Sequence, residues 1–287
     1  MDDRLREAWR VRQAAFPPVI GFDYPLRTLV VSLTGTRCQL DCAHCGGHYL
    51  ESMVPVWRAD PEGATSCLIS GGCDGSGRVP VTEHLDIVRD MRSGRIMNWH
   101  VGLIGETEAE IIAPYVDVIS FDFVGDDETI REVYGLDVGV QDYVAAYELL
   151  RRHTTTVPHI TVGLRGGSIS GEYKALDILE DLGVEAMTFI VFIPTAGTRY
   201  EDRDPPRLEE VVHLLVEARL RFPTIPIHLG CMRPRGEYRD QLDALAVKAG
   251  VNVIVSPART AVALAQEVGL RVDRREECCA VRLKRRA

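Results

Sequence analysis

Three cysteines lie close together in the first fifth of the chain, at Cys38, Cys42 and Cys45. Their C-x3-C-x2-C spacing allows one loop to bring three thiols to one metal centre, and thiolates are natural ligands of iron–sulfur clusters and of zinc. Three thiolates on a four-iron cluster would leave one iron open to other ligands. A zinc site is the alternative, with His44 or His48 as the fourth ligand.

The chain carries eight cysteines, and its first 15 residues are charged and predict a short helix rather than a secretory signal. No apolar run approaches the roughly 20 residues needed to cross a bilayer. We therefore expect a cytoplasmic protein without membrane association. In a reducing compartment, metal binding or catalysis explains the cysteines better than disulfides do.

The composition is that of an ordinary globular protein, with 46% apolar and 26% charged residues among 287. The formal net charge is −9. Nucleic-acid binding requires a basic face, so this charge argues against a nucleic-acid partner.

Apolar runs of strand length alternate with amphipathic segments of helical length along the chain. Near-continuous Val, Ile, Leu and Phe indicates strands that are buried on both faces, as in parallel sheets. The predicted strands are 28–35, 66–72, 100–105, 118–125, 159–164, 187–195, 225–231 and 251–257. The predicted helices are 81–93, 140–153, 171–183, 208–222, 239–250 and 258–269.

This alternation predicts an α/β fold, a single (β/α)8 TIM-type barrel, with a doubly wound open sheet as the alternative. We assign residues 1–270 to the barrel with its N-terminal helix, and 271–287 to a cysteine-containing tail that folds over it. Polar or glycine-rich residues follow several predicted strands: Gly71-Gly72, Asp122, Gly166-Gly167, residues 194–198 and Cys231. The carboxyl ends of barrel strands form the catalytic face, so these residues are expected at one mouth.

With the cysteine motif directly after the first predicted strand, the chain resembles the radical S-adenosylmethionine (radical SAM) superfamily. This resemblance implies a [4Fe–4S] cluster on Cys38, Cys42 and Cys45, whose open iron binds the amino and carboxylate groups of S-adenosylmethionine. Reduction then cleaves the cofactor to a 5′-deoxyadenosyl radical. Gly71 and Gly72 resemble the glycine pair that accepts the methionine amino group.

Other cofactor-binding residues are implied by the same resemblance. The fifth-strand segment with Gly163, Gly166 and Glu172 resembles the one beside adenine, and His44 stands where an aromatic residue contacts adenine. Asp122 is a candidate for the cofactor ribose, with Glu106 as a weaker one. Arg165 and Arg233 are candidates for binding a carboxylate, with surface positions as the alternative.

The five remaining cysteines need a separate explanation. Cys67 lies within a predicted strand and is expected to be a small buried residue, whereas Cys73 and Cys231 follow strand ends. Together with Cys278 and Cys279 of the tail, these two could hold an auxiliary [4Fe–4S] cluster; unrelated thiols are the alternative. His159 is expected to be a core or bottom-face residue.

The motifs are closest to the biotin-synthase-like branch and resemble a component of the two-protein lipoyl synthase. That resemblance implies sulfur insertion into an octanoyl chain on a lipoyl carrier protein, with the auxiliary cluster as sulfur donor. It also implies a second radical SAM subunit and an electron donor such as ferredoxin or flavodoxin. A one-cluster mutase similar to methylornithine synthase is one alternative, and a non-catalytic iron–sulfur or zinc protein is another.

Overall fold

A computed structural model describes residues 2–278 and residue 280. Within these residues the strands form one sheet in which every strand pairing is parallel. The strands are β1 (Val19–Asp23), β2 (Thr28–Ser32), β3 (Val54–Pro55), β4 (Ser66–Ser70), β5 (Ile96–Trp99), β6 (Val118–Asp122), β7 (Thr156–Val162), β8 (Met187–Val191), β9 (Ile227–Leu229), β10 (Val253–Val255) and β11 (Arg271–Arg275).

Helices connect most of these strands. They are α1 (Asp2–Ala15), α2 (Leu85–Met91), α3 (Glu106–Ile112), α4 (Asp127–Thr129), α5 (Val140–His153), α6 (Glu172–Leu182), α7 (Leu208–Arg221), α8 (Glu237–Lys248) and α9 (Arg259–Glu267). A π-helical turn, Ile130–Tyr134, continues α4. No helix among the described residues combines the length and the apolar character that crossing a membrane would require.

The sheet order is β11-β1-β10-β9-β8-β7-β6-β5-β4-β2-β3. From β10 to β4 the neighbours in the sheet are also neighbours in sequence, so the sheet is wound in one direction. It curls into a partial barrel, which confirms the predicted α/β barrel class. The doubly wound alternative requires a reversal of strand order and is wrong.

Alternate residues of each strand divide between the two faces of the sheet. In β6, for example, Ile119 and Phe121 join the main core beneath the helices, while Ser120 and Asp122 face the concave side. Leu, Ile, Val and Phe therefore fill the layer between sheet and helices. We call the space enclosed by the concave face the lumen.

The third predicted strand, 100–105, is wrong. The strand is β5, Ile96–Trp99, and residues 100–105 form the loop that follows it. Gly102 explains the end of the strand: its φ is +66°, and a Cβ there would lie 2.2 Å from the Gly77 carbonyl oxygen. His100 therefore comes at the carboxyl end of a strand.

Three strands were not predicted: β1, β3 and β11. In β11 the sequence is Arg-Val-Asp-Arg-Arg, so hydrophobic patterning gives no strand signal. The strand forms because it pairs in parallel with β1 along five residues at the edge of the sheet. The predicted domain boundary at residue 270 thus falls immediately before a strand of the sheet.

Candidate functional site

The loop that carries the cysteine motif starts just beyond β2 and turns sharply between Cys42 and Cys45. The backbone N–H of Cys45 donates to the carbonyl of Cys42 at 3.1 Å, and that of Gly46 does so at 2.9 Å. The Ala43 N–H also bonds to the Val133 carbonyl at 2.7 Å, which fixes the loop against the π-helical turn. One short, anchored segment, called the cluster loop below (residues 33–47), therefore presents all three partly buried cysteines.

Burial has the largest effect on the pKa of two of these thiols, Cys42 and Cys45. Burial, followed by the charges of Cys45 and Cys38, raises the pKa of Cys42 to about 12. Burial also raises the pKa of Cys45, although its sulfur accepts hydrogen bonds from the backbone N–H groups of Tyr49 and Gly47. Backbone N–H donors of this kind are typical of thiolates that ligate iron–sulfur clusters. The donor set thus fits a bound iron–sulfur core, which would stabilise the deprotonated thiols.

In the part of the chain that the structure describes, no three His, Cys, Asp or Glu side chains converge tightly enough to hold one metal ion. His48, the second candidate for a zinc ligand, lies 3.4 Å from Glu51 (Nδ1 to Oε1).

The glycine pair after β4 lies directly against the cluster loop. A Cβ on Gly72 would be 2.0 Å from the Arg37 carbonyl oxygen and 2.7 Å from both Cα and Cβ of Cys38. The N–H of Gly72 donates to the hydroxyl of Thr34 at 2.7 Å. Only a glycine allows the end of β4 to approach the first motif cysteine this closely.

Cys73, predicted as a possible ligand of an auxiliary cluster, lies beside the cluster loop. Its carbonyl accepts a hydrogen bond from the N–H of Gln39 at 2.8 Å. Burial, followed by the charges of Cys38 and Asp122, raises the pKa of the Cys73 thiol to about 12. Cys73 and Cys42 also line one cavity of about 110 Å³.

Cys231 and Cys278 are two further thiols outside the cluster loop. Cys231 follows β9 and is exposed at its surface, while desolvation by the surrounding protein and then the charge of Cys278 raise its pKa. Cys278 packs against Val118 and Val253, the first residues of β6 and β10, and its backbone N–H bonds to the Thr28 hydroxyl at 3.0 Å. The described end of the tail therefore enters the lumen at the amino ends of the strands. Cys279 lies outside the described residues.

Asp122 and His100 form a charged pair at the carboxyl ends of β6 and β5. Their closest atoms, Oδ2 and Nδ1, are 3.8 Å apart. Burial opposes the charge of each group, but the interaction between them prevails: the pKa of Asp122 is lowered and that of His100 is raised. His159 completes the group, with its ring 5.4 Å from that of His100.

The strand containing His159 starts at Thr156, so this histidine lies within β7 and does not open it. It pairs laterally with Asp122, which places both side chains on the concave face. Burial lowers the pKa of His159 to about 4. A neutral imidazole of the lumen therefore lies beside the charged pair.

His44 lies near two aromatic rings, one just after the cluster loop and one in the π-helical turn. Its ring meets Tyr134 edge-on at 5.7 Å and is 6.3 Å from Tyr49. Burial lowers its pKa to about 4, and its Nδ1 has no hydrogen-bond partner among the described residues. The neutral ring retains a free hydrogen-bonding atom within a partly apolar surface, which suits contact with a heteroaromatic ligand.

Glu172 stabilises the segment predicted to lie near adenine by accepting hydrogen bonds from its backbone. Its carboxylate accepts hydrogen bonds from the backbone N–H of Gly163 at 2.6 Å and of Ser170 at 2.7 Å. A Cβ on Gly163 would lie 2.8 Å from Pro206. Both residues therefore shape the loop after β7, and the carboxylate of Glu172 is already occupied.

The two candidate arginines already have carboxylate partners in the protein. Arg165 pairs with Glu132 at 2.6 Å and with Glu128 at 2.7 Å, which raises its pKa. Arg233 is completely buried and pairs with Asp243 at 2.6 Å. Arg233 therefore does not project into the mouth as expected.

Two other predicted positions lie away from the site. Glu106 pairs with Arg152 and His153 at the start of α3. Cys67 is fully buried in the main core, as predicted.

The segment after β8 closes against the cluster loop. Gly197 has a φ of +79°, and a Cβ there would lie 3.0 Å from the His48 ring. The N–H of Tyr200 donates to the carbonyl of Ala43 at 3.0 Å. The residues predicted at the mouth from 194 to 198 thus meet the cysteine motif.

Sequence reasoning missed His100 and Tyr134. The signal for His100 is its position at the carboxyl end of β5. The predicted strand 100–105 put this residue at the amino end of a strand instead. Tyr134 comes from the π-helical turn, whose contact with the cluster loop spans some 90 positions of sequence and leaves no local pattern.

The sequence matches no protein-family model and no curated protein. Solved structures do match in fold. Methylornithine synthase, PylB, superposes with a TM-score of 0.68 at 16% identity over 95% of this chain and 89% of that chain. The chain shares its fold with this enzyme. Its fold is also that of HydG, the FeFe-hydrogenase maturase from Carboxydothermus hydrogenoformans, with a TM-score of 0.66 at 16% identity over 88% of this chain and 62% of that chain.

A third similar structure is Streptococcus suis SuiB bound to S-adenosylmethionine. It has a TM-score of 0.52 at 13% identity, over 76% of this chain and 52% of that chain. The chain thus spans about three fifths of HydG and half of SuiB, but nearly all of methylornithine synthase.

Proposed function

We propose that this chain is a radical SAM enzyme. The observation that carries the proposal is the meeting of Gly72 with Cys38, which joins the glycine pair of β4 to a loop presenting three thiols at the mouth of a parallel barrel. A cluster there, together with S-adenosylmethionine, would supply a 5′-deoxyadenosyl radical. The SuiB structure with that cofactor bound supports the assignment by analogy of fold.

Cys38, Cys42 and Cys45 would hold the cluster. The backbone around Gly71 and Gly72 is close enough to the loop to contact a ligand on the open iron. His44 offers a neutral ring for adenine, and Asp122, about half exposed to the lumen, offers a carboxylate for ribose hydroxyl groups.

For the reaction itself we favour sulfur insertion into an octanoyl chain on a lipoyl carrier. Cys231 and Cys278 would be two ligands of an auxiliary cluster that donates sulfur, and the charge of Cys278 acts on the Cys231 thiol. Such a reaction would need the octanoylated carrier, a second radical SAM subunit and a reductant such as ferredoxin or flavodoxin, in the cytoplasm.

A one-cluster mutase is the second candidate. It is favoured by the match to methylornithine synthase, which covers 95% of this chain and 89% of that chain. A mutase needs no second cluster, and Cys231 and Cys278 would then be ordinary thiols. A non-catalytic iron–sulfur or zinc protein is the candidate from another class.

Iron and sulfide content after anaerobic reconstitution separates these functions. Three proteins are compared: the intact chain, a Cys38/Cys42/Cys45→Ala variant and a Cys231/Cys278/Cys279→Ala variant, with Cys67→Ala as the buried control. About eight irons in the intact chain and about four in each triple variant support sulfur insertion. About four irons in the intact chain and none in the motif variant support a mutase.

Cofactor cleavage tests the enzyme class itself. The reduced, reconstituted chain is expected to convert S-adenosylmethionine to 5′-deoxyadenosine, and the motif variant is expected not to. Absence of this product from a fully loaded chain would favour the non-catalytic alternative. Mass spectrometry of an octanoylated carrier peptide, searched for a gain of sulfur, then tests the substrate.

A further inference from the structure

Four thiols, not three, surround the mouth next to the cluster loop. Cys73 follows Gly72, and the absence of a side chain on Gly72 brings this part of the chain against the Cα and Cβ of Cys38. The Gln39–Cys73 hydrogen bond, at 2.8 Å, then fixes the backbone of Cys73 beside the residue after Cys38. The fourth thiol is thus held in place by backbone contacts to the loop itself.

The surroundings of Cys73 match those of the motif cysteines. It shares a cavity with Cys42, and the charges of Cys38 and Cys45 act on its thiol. Cys73 is partly buried and packs against the main core, whereas Cys67, in the middle of β4, is fully buried within it. Of the two thiols in and just after β4, only Cys73 can therefore reach a cluster that is bound by the three motif cysteines.

We propose that Cys73 ligates the iron that Cys38, Cys42 and Cys45 leave open, and that S-adenosylmethionine displaces it. This inference rests on the proposed function. A four-iron cluster has one ligand position per iron, and four thiols from two adjoining segments supply that number. The Cys73 thiol loses its proton on binding iron and regains one on release, and no electron is transferred.

Two consequences follow for the resting protein. A thiolate on the fourth iron excludes water and oxygen from it. The cluster should therefore lose that iron more slowly than a cluster without the thiolate would. The cofactor must also compete with Cys73, which weakens its apparent affinity. If Cys73 holds the iron in about nine of ten molecules, the apparent Kd is about tenfold above the intrinsic value.

Mössbauer spectroscopy of the intact, 57Fe-reconstituted chain tests the ligation without any substitution. We expect all four irons of the motif cluster to have sulfur-only coordination before the cofactor is added, and one of them to gain nitrogen and oxygen ligands afterwards. An iron of the motif cluster that already has a non-sulfur ligand before addition would overturn the inference. Any auxiliary cluster contributes equally to both spectra and cancels in their difference.

A Cys73→Ala variant, with Cys67→Ala as the matched control, tests the consequences. Relative to the control, Cys73→Ala should lose one iron several-fold faster on brief exposure to air, seen as the electron paramagnetic resonance signal of a [3Fe–4S] cluster. It should also bind S-adenosylmethionine with a Kd lower by up to about tenfold. Equal iron loss and equal affinity in the two variants would contradict the role of Cys73.

Failure of the proposed function would give a different experimental result. In that case the intact chain would hold no cluster that responds to S-adenosylmethionine. A responsive cluster whose spectrum already shows an open iron would instead leave the radical SAM assignment intact and refute only the ligation by Cys73.

Discussion

Asp122 and His100 show how the ends of neighbouring strands bring together two ionisable groups, of which only Asp122 was predicted from the sequence. The carboxylate and the imidazole come within 3.8 Å of each other. Their interaction lowers the pKa of Asp122 and raises that of His100, so each group favours the charged form of the other. The pair lies next to the neutral ring of His159.

We predict that Asp122→Asn lowers the pKa of His100, because the carboxylate that stabilises the imidazolium is removed. The pKa is measured by nuclear magnetic resonance of histidine-labelled protein across a pH series. Glu106→Gln is the matched control, since it removes a carboxylate that contacts His153 at the start of α3 and should not affect His100. An unchanged His100 pKa in Asp122→Asn would show that the two groups do not interact.

The same pair has a defined effect on stability against pH. The lowered pKa of Asp122 stabilises the fold above the ordinary value of 3.8, and this effect is lost as pH falls through the lowered pKa. The raised pKa of His100 stabilises it below 6.5, and this effect is lost as pH rises through the raised pKa. The stability difference between the protein and Asp122→Asn should therefore be largest between these two values, as measured by urea unfolding.

At the scale of elements, the end of β4 and the cluster loop form one unit because Gly72 has no side chain. Gly71, its neighbour, has more room: a Cβ there would be 3.3 Å from the Thr34 side chain. The position of the cluster loop therefore depends more on Gly72 than on Gly71.

We predict that Gly72→Ala displaces the cluster loop and abolishes most iron binding, whereas Gly71→Ala retains most of it. The new methyl group of Gly72→Ala would overlap the Arg37 carbonyl and Cys38, and overpacking of this kind costs about 1–3 kcal/mol. Iron content and the midpoint of thermal unfolding are measured for both variants. Equal iron content in the two would mean that contact with Cys38 is not what positions the loop.

Arg233 joins the carboxyl ends of β9 and β10 to α8. Besides its pair with Asp243, it donates to the carbonyls of Gly230 at 2.5 Å and of Val255 at 2.8 Å. Because both charges are fully buried, each requires its partner. The arginine fixes the loop that carries Cys231.

We predict that Arg233→Ala destabilises the protein by about 3–5 kcal/mol, because Asp243 is left buried without its partner. Arg235→Ala, two residues further on and exposed, is the control and should change stability by less than about 0.5 kcal/mol. Guanidinium unfolding followed by circular dichroism gives both values. A small effect of Arg233→Ala would show that Asp243 finds another partner or water.

At the scale of the whole molecule, the tail closes the lumen at the amino ends of the strands. The N–H of Arg27 donates to the Glu276 carbonyl at 2.9 Å, and the Thr65 hydroxyl donates to the Glu277 carboxylate at 2.8 Å. With the bond from Cys278 to Thr28, these contacts join the end of the chain to its first third. The barrel is therefore completed by residues that are last in sequence.

We predict that removal of residues 276–287, which leaves β11 in place, lowers the free energy of unfolding by about 2–4 kcal/mol. Among the described residues, the truncation removes the three hydrogen bonds named above, each contributing about 0.5–1.5 kcal/mol, and a longer one from Asn98 Nδ2 to the Cys278 sulfur at 3.7 Å. Removal of residues 281–287 alone is the control, because it retains every contact named here. Similar urea midpoints for the two truncations would show that the segment from 276 to 280 contributes little.

The sequence alone determined the barrel class, the position of the cluster loop and the burial of Cys67. These features depend on local spacing: the distance between motif cysteines fits one turn of a loop, and the apolar runs mark strands that are buried on both faces. The positions of most strands and helices follow from the same periodicity. Charged β11 has no such pattern and could not be found this way.

Only the tertiary structure decided which residues contact each candidate functional side chain. It placed Cys73 with the cluster loop and Cys278 at the amino ends of the strands. It also gave Arg165 and Arg233 carboxylate partners and brought His100 to Asp122. Apart from Arg233 and Asp243, which are ten residues apart, these pairings join residues that are distant in sequence and depend on which strands become neighbours. The spacing of residues along the chain encodes local geometry, whereas the partner of a buried charge or thiol is set by the packing of the whole sheet.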